Sequence, residues 1–300
     1  MSEKIQKVLA NAGYGSRREI EQWIKDERIK INGKLATLGD RITLEAKIQL
    51  DDSQPLKLSD KTPETQRVLI YHKPEGQVCS RTDPEGRPTV FKNLPKIKQG
   101  RWLNVGRLDI NTSGLLLFTN DGELANQLTH PSGQIEREYA VRVLGEVTQD
   151  MINNLLKGVM LDDGLAKFDS IYDGGGQGAN HWFTVVVREG RNREVRRLWE
   201  SQGLKVSRLM RARFGNVTLP RRIRPGKFEE MEEKDIQLLK ACLQGKETST
   251  KLPANTRQQT AKKARTSKIP EAKNPRGRNV RPSKREAEKS TKKPGPKYKK

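Results

Sequence analysis

Three hundred residues carrying a formal net charge of +22 allow one large or two modest domains with a sizeable core, and they point to an anionic partner. The excess is uneven: residues 246 to 300 hold 19 Lys and Arg against 4 Asp and Glu, while the first 245 hold 40 against 33. No apolar run approaches the roughly 18 residues of a membrane span, "MSEKIQKVL" is no signal peptide, and two distant cysteines make no disulfide framework, so a soluble, cytoplasmic chain without a membrane partner is expected.

Residues 1 to 60 read as a small module of their own. Ile5, Val8, Leu9 and Ala12 recur at helical spacing, and Gly13 and Gly15 stop that helix. A second helix opens at "SRRE", where Ser16 and Glu19 fit a capping box, and Ile20, Trp23 and Ile24 give it an apolar face. "IKINGK" alternates into Asn32-Gly33, a tight-turn signal. Arg17 and Arg18 stand in the first turn, where each cation opposes the helix dipole by about 0.3–1 kcal/mol. A phosphate held at that helix end would account for both; two solvated surface arginines remain the alternative. The stretch "KIQKVLANAGYGSRREIEQWIKDERIKINGK" resembles an S4-type RNA-binding domain, which implies that the module contacts structured RNA.

The polar segment "DDSQPLKLSDKTPETQ" leads into a linker placed at residues 61 to 67, and a larger domain follows over residues 68 to 245. "RVLIYHKPEG" reads as a strand entering a loop. "GRLDINTSG" is a turn-rich lip that sets Asp109 beside Arg107, ahead of "LLLFT", a short apolar run with the pattern of a strand buried on both faces. "DGELANQLTH" is a helix stopped before Pro131, "REYAVRVLGEV" a strand, and "VTQDMINNLLKGV" a helix with Met151, Ile152, Leu155 and Leu156 on one face. "HWFTVVVREG" is a strand, and "RNREVRRLWESQG" a helix closed by Gly203. Strands alternating with a few helices predict an α+β fold on a mostly antiparallel mixed sheet. The tail from 246 has almost no large apolar residues and reads as a disordered, phosphate-binding arm.

Three short stretches hold more polarity than packing requires. They are Arg107 with Asp109; Tyr139 between Glu138 and Arg142; and Arg191, Arg193, Arg196 and Arg197 within seven residues. Each has a plainer reading, as a turn residue, a core aromatic or a solvated helix face. The histidines His72, His130 and His181 show no metal-ligand spacing, and no metal or cofactor is expected.

"GRLDINTSGLLLFTNDGELANQLTHPS", "EREYAVRV" and "EGRNREVRRLWE" together resemble the three motifs of the pseudouridine synthases, in the family's order. With the S4-like module in front, the likeness is to the branch that modifies single uridines of ribosomal RNA, and "HKPEGQVCSRTDPEGRPTVF" and the basic tail tilt it to the large subunit. The resemblance implies Asp109 as the catalytic carboxylate, acting as nucleophile at the ribose C1′ or as base at C2′. It implies Arg196 as its ion-pair partner, with Glu194 close enough to compete for that arginine. Tyr139 would stack on the target base, and Arg107 would fill the space left when the uridine is extruded. Arg17, Arg18, Arg191, Arg193 and Arg197 are expected on RNA phosphate, and the chain is expected to work as a monomer. Two other readings stand beside this one: a non-catalytic ribosome-assembly factor on the same scaffold, and a metal-dependent nuclease using Asp109 with Asp121 or with Asp162 and Asp163.

Overall fold

The computed structural model describes residues 2–56, 58, 65–97, 100–177 and 180–243. The tail expected to be disordered lies outside these residues, as does all of the expected linker except 65–67. In the N-terminal module, β1 (Glu3–Lys4), α1 (Ile5–Asn11) and α2 (Arg17–Lys25) precede β2 (Ile29–Ile31), β3 (Lys34–Leu35), β4 (Arg41–Ile42) and β5 (Ile48–Leu50). Ser16 and Glu19 form the reciprocal capping box, and Asn32 and Gly33 take the positive φ that the β2–β3 turn demands. Ile5, Leu9, Ile20, Ile24, Ile29 and Ile48 make the core of this module.

The larger domain runs β6 (Val68–Lys73), β7 (Leu103–Val105), β8 (Ser113–Thr119), α3 (Gly122–Thr129), β9 (Arg137–Leu144), α4 (Gln149–Lys157), β10 (Val159–Leu161) and β11 (Gly164–Ala166). It continues through β12 (Ser170–Gln177), β13 (Asn180–Val187), α5 (Glu194–Glu200), β14 (Lys205–Phe214), β15 (Val217–Thr218), β16 (Phe228–Glu230) and α6 (Glu233–Leu243). One sheet runs β12-β13-β9-β14-β8-β6-β16, with β15 on β14 and β7 on β8. Every pairing in it is antiparallel except β14 with β8, where Met210 and Arg211 lie opposite Ser113 and Gly114.

Strand β8 is buried along its whole length, as its apolar run requires. Leu115 and Leu117 pack with α3 and α6, while Leu116 and Phe118 face Leu69, Tyr71 and Trp102 on the other side. Farther along the sheet, Val141, Val143, Phe183 and Val185 pack beneath α4 and α5 through Leu155, Leu198 and Trp199. One expected core residue is displaced: Leu156 is 36% exposed, because α4 buries only the stripe of Met151, Ile152 and Leu155. The sheet's pivot lies between β14 and β8, where two registers of opposite sense meet and the chain before Ser113 turns away as a loop. That loop carries Asp109.

Candidate active site

Five successive carbonyls of this loop are held by the rest of the domain. Leu108 O accepts from the Cys79 thiol at 3.3 Å, Asp109 O from Lys73 Nζ at 3.0 Å and from Thr112 N, and Ile110 O from Gly76 N at 2.8 Å. Asn111 O accepts from Arg196 at 2.8 Å, and Thr112 O from Lys73 Nζ at 2.8 Å. The backbone under Asp109 is therefore fixed, which orients a side chain without touching it. The Asp109 carboxylate itself, half-buried, makes no hydrogen bond or ion pair among the described residues.

Lys73 is the site residue that the sequence reading missed. Its ammonium is fully buried, it has no carboxylate partner among the described residues, and besides Asp109 O and Thr112 O it reaches Pro74 O at 3.0 Å and Ile110 O at 3.4 Å. Burial lowers its pKa, opposed by the nearby Cys79, Asp109 and Glu75. In the sequence it is only a charged residue closing the apolar strand "VLIYHK", which reads as the strand's end. Cys79, behind the loop, is pushed up by burial, against Leu108, Lys73, Arg211 and Arg107. Arg211 is a second missed cation: it is 2% exposed, lies opposite Tyr139 across β9 and β14, and donates from Nε to Leu115 O at 2.7 Å.

The expected pairing of Arg196 with Asp109 is corrected by the structure. At 8% exposure the guanidinium must satisfy its donors locally, and it does so on Asn111 O and on Val206 O at 2.9 Å rather than on the carboxylate. Burial lowers its pKa; the charge of Asp109 works the other way, at a distance beyond an ion pair. Its Nε is buried without a partner. Nor does Glu194 compete for Arg196: its carboxylate accepts from Arg191 N at 3.3 Å. Burial pushes Glu194 up to about 7, against that hydrogen bond and the charges of Arg191 and Arg137.

Tyr139 is half-buried on β9 and packs against two apolar clusters at once, at the seam beside the Asp109 loop. Arg107 is exposed, with no hydrogen bond or ion pair among the described residues. The third-motif arginines divide. Arg197 grips Asp163 with two bonds of 2.9 and 2.7 Å, and Arg191 binds Asp163 and Glu189 and donates to Leu165 O. Both fasten α5 to the β10–β11 hairpin and are not free for phosphate. Arg193, in a left-handed conformation just before α5, is exposed and among the described residues pairs only with Glu200.

In the module, Arg17 and Arg18 are exposed and line a cleft of about 1390 Å³ with Arg101 and Lys240. The helix end they flank is already capped, since Glu19 accepts from Ser16 N. A phosphate there would meet guanidinium groups, not a bare helix terminus. The acids weighed for a metal are separated: Asp121 caps α3 through Glu123 N and Leu124 N, and Asp163 belongs to Arg197. Among the described residues no three His, Cys, Asp or Glu side chains stand close enough to hold a metal ion.

Residues 67–201 match the RNA pseudouridylate synthase family, and residues 3–48 match the S4 domain. Ribosomal large subunit pseudouridine synthase B of Vibrio vulnificus is 52% identical over 270 residues, 90% of this chain and 84% of that protein. The chain belongs to the RNA pseudouridylate synthases. The protein of the same name from Pseudomonas aeruginosa is 58% identical over 240 residues; the match covers 80% of the synthase and 62% of that longer relative. A crystal structure of a pseudouridylate synthase shares the fold, with a TM-score of 0.55 at 24% identity, covering 78% of this synthase and 98% of that chain. Among the described residues of the synthase, no helix is long and apolar enough to cross a membrane.

Proposed function

We propose that this protein isomerises a uridine of large-subunit ribosomal RNA to pseudouridine, with Asp109 as the catalytic carboxylate. The observation that carries the reading is an unpaired carboxylate on a loop whose carbonyls from Leu108 to Thr112 are all held. Relatives more than 50% identical bear the name of that reaction on that RNA. The isomerisation breaks the bond from C1′ to N1 of uracil, turns the base, and joins C1′ to C5. The proton on C5 is lost and N1 gains one, so there is no net redox change. One carboxylate suffices, whether it attacks C1′ or takes a proton from C2′, and both roles require an ionised, unpaired oxygen.

Tyr139, at the seam beside the loop, supplies an aromatic surface for the displaced base. Arg107, exposed and without a partner among the described residues, is suited to enter the stack where the uridine leaves, since C1′ cannot be reached inside a helix. Arg196 serves by holding the Asp109 loop through Asn111 and β14 through Val206. Arg17 and Arg18 are available for phosphate, and Arg193 becomes so by giving up its exposed pair with Glu200. Residues 1 to 60 act as the RNA-docking module and 68 to 245 as the catalytic domain of a cytoplasmic monomer that works without cofactor.

Asp109→Asn tests the reading. Pseudouridine formation on a large-subunit RNA fragment should vanish while RNA affinity stays within a few-fold, because the amide retains the shape but neither attacks nor accepts a proton. Turnover at a few per cent of wild type would move the chemistry to another residue.

A further inference from the structure

The two halves of the sheet are covered unequally. Among the described residues, strands β6 and β8 are packed on both faces, whereas β12, β13, β9 and β14 carry an apolar cluster only on the face of Val141, Val143 and Val185, with Val186 the buried hydrophobic side chain of the other. Alternation turns their intervening residues the other way. Registers place Tyr172, Thr184, Ala140 and Met210 in one row across four strands, and Trp182, Arg142 and Arg208 in the next. None of these side chains joins any of the four apolar clusters.

An uncovered sheet face is ordinarily polar. This one bears two aromatic rings and two arginines. Tyr172 is 63% exposed, and Trp182 is half-buried beneath the Arg142 guanidinium, 5.8 Å from the ring centroid. Arg142 Nε donates to Ser207 Oγ at 2.9 Å, leaving its terminal amines unengaged, and Arg208 is exposed with no partner among the described residues. The nearby acids on these strands are occupied, Glu138 by Arg213 at 3.1 Å and Asp173 by His181 at 2.6 Å.

Glycine shapes the surface beside Trp182. The register slips between Asp173 and Gly175, a Cβ on Gly174 would stand 3.0 Å from Trp182 O, and one on Gly176 would stand 2.2 Å from Asn180 O. What remains is a shallow depression of about 530 Å³, lined by Trp182, Arg142, Asn180 and the three glycines, large enough for one planar heterocycle.

We propose that this sheet face, opposite Tyr139, is a second RNA-binding surface: an unpaired base stacks on Trp182 in the glycine-lined depression, and Arg142 and Arg208 hold its flanking phosphates. Stacking on an aromatic beside unpaired cations is the chemistry of single-stranded nucleic acid. A protein partner would favour a face depleted of charge. The class of ligand rests on the proposed RNA activity, but a binding measurement does not, so failure here and failure of that reading can be told apart.

The probe is a short single-stranded oligoribonucleotide bearing 4-thiouridine, offered to the full-length chain beside a duplex of the same length. Cross-linking should map to the peptide holding Trp182. Trp182→Ala and the double variant Arg142→Gln/Arg208→Gln should each weaken single-strand binding by about tenfold, with duplex binding nearly unchanged. Trp182→Phe, which retains a stacking ring and guards against misfolding, should restore most of the affinity. Turnover on a short hairpin at saturation should be unaffected in all of them. Unchanged single-strand affinity overturns the proposal, and so does equal loss on both probes, which marks a general polyanion surface. Displacement of the cross-link by poly-glutamate, but not by unlabelled single strand, would assign the face to a protein and overturn it likewise.

Discussion

A carboxylate buried against a cation is well placed but blunted, because the ion pair occupies the oxygens that would react. The arrangement at Asp109 avoids this: Lys73 and Arg196 bind the peptide carbonyls around it and leave the carboxylate open. Arg196→Ala is therefore expected to strand the carbonyls of Asn111 and Val206, at about 1–3 kcal/mol each, and to lower turnover through a slackened loop. Its effect on stability should be nearly the same at about pH 4 as at about pH 7, since the groups it satisfies do not titrate. Denaturant melts at the two pH values check this; a clear recovery at the lower pH would mean that Arg196 faces an ionised Asp109 after all. Lys73→Met, similar in length but without donors, should cost more than Arg196→Lys, which still reaches one carbonyl. Urea midpoints and turnover of the two variants decide. Asp109, Tyr139 and Arg107 stand out in the sequence as candidates because their neighbours are turn formers or charges. Lys73 and Arg211 could not, because a lone cation in an apolar strand reads as the strand's end until the carbonyls that satisfy it are seen.

The same distinction holds for whole elements. Helices α1 to α5 and strands β6, β8, β9 and β13 announce themselves by period, caps and stop residues, and they stand where the sequence reading puts them. Strand β14 does not: "KVSRLMRARF" alternates its apolar residues with arginines, and only the neighbours β9 and β8 show that one of those arginines is interior. Its approach to β8 depends on Gly114, where φ is +106° and a Cβ would lie 2.3 Å from Arg211 O. Gly114→Ala should destabilise the domain by roughly 2–4 kcal/mol, combining a strained φ with a backbone clash, as a thermal melt would show. Helix α5 brings a pH dependence of its own. Burial raises Glu194 from 4.5 to about 7, so the folded chain holds this proton more tightly than the unfolded one. Its contribution is fully present below about 4.5 and is lost as pH rises through about 7. Glu194→Gln, neutral throughout, should relieve up to roughly 3 kcal/mol of this loss above neutrality. Melts of both chains at pH values on either side of 7 measure it, and parallel curves would show the carboxylate to be solvated.

At the scale of the molecule, charge is divided by task. The 40 cations of the first 245 residues face 33 acids, and many, such as Arg197 on Asp163, are bound within the domain. The 19 beyond residue 245 face only 4 acids, so by charge alone the tail can contribute many phosphate contacts. The cleft edged by Arg17, Arg18, Arg101 and Lys240 offers fewer contacts in a fixed arrangement. The two should separate in a salt titration. Each phosphate contact adds about 0.7 to the slope of log affinity against log salt for single strands, so removing residues 246 to 300 should weaken binding and flatten that slope by several units while sparing turnover at saturation. Removing residues 1 to 60 should change the slope little, yet lower activity on a folded ribosomal RNA domain far more than on a short hairpin, because shape is read by placed groups and not by charge number. If both deletions flatten the slope equally, the module is merely a second basic arm. If its loss harms the hairpin as much as the folded RNA, it stabilises the catalytic domain and does not choose the substrate.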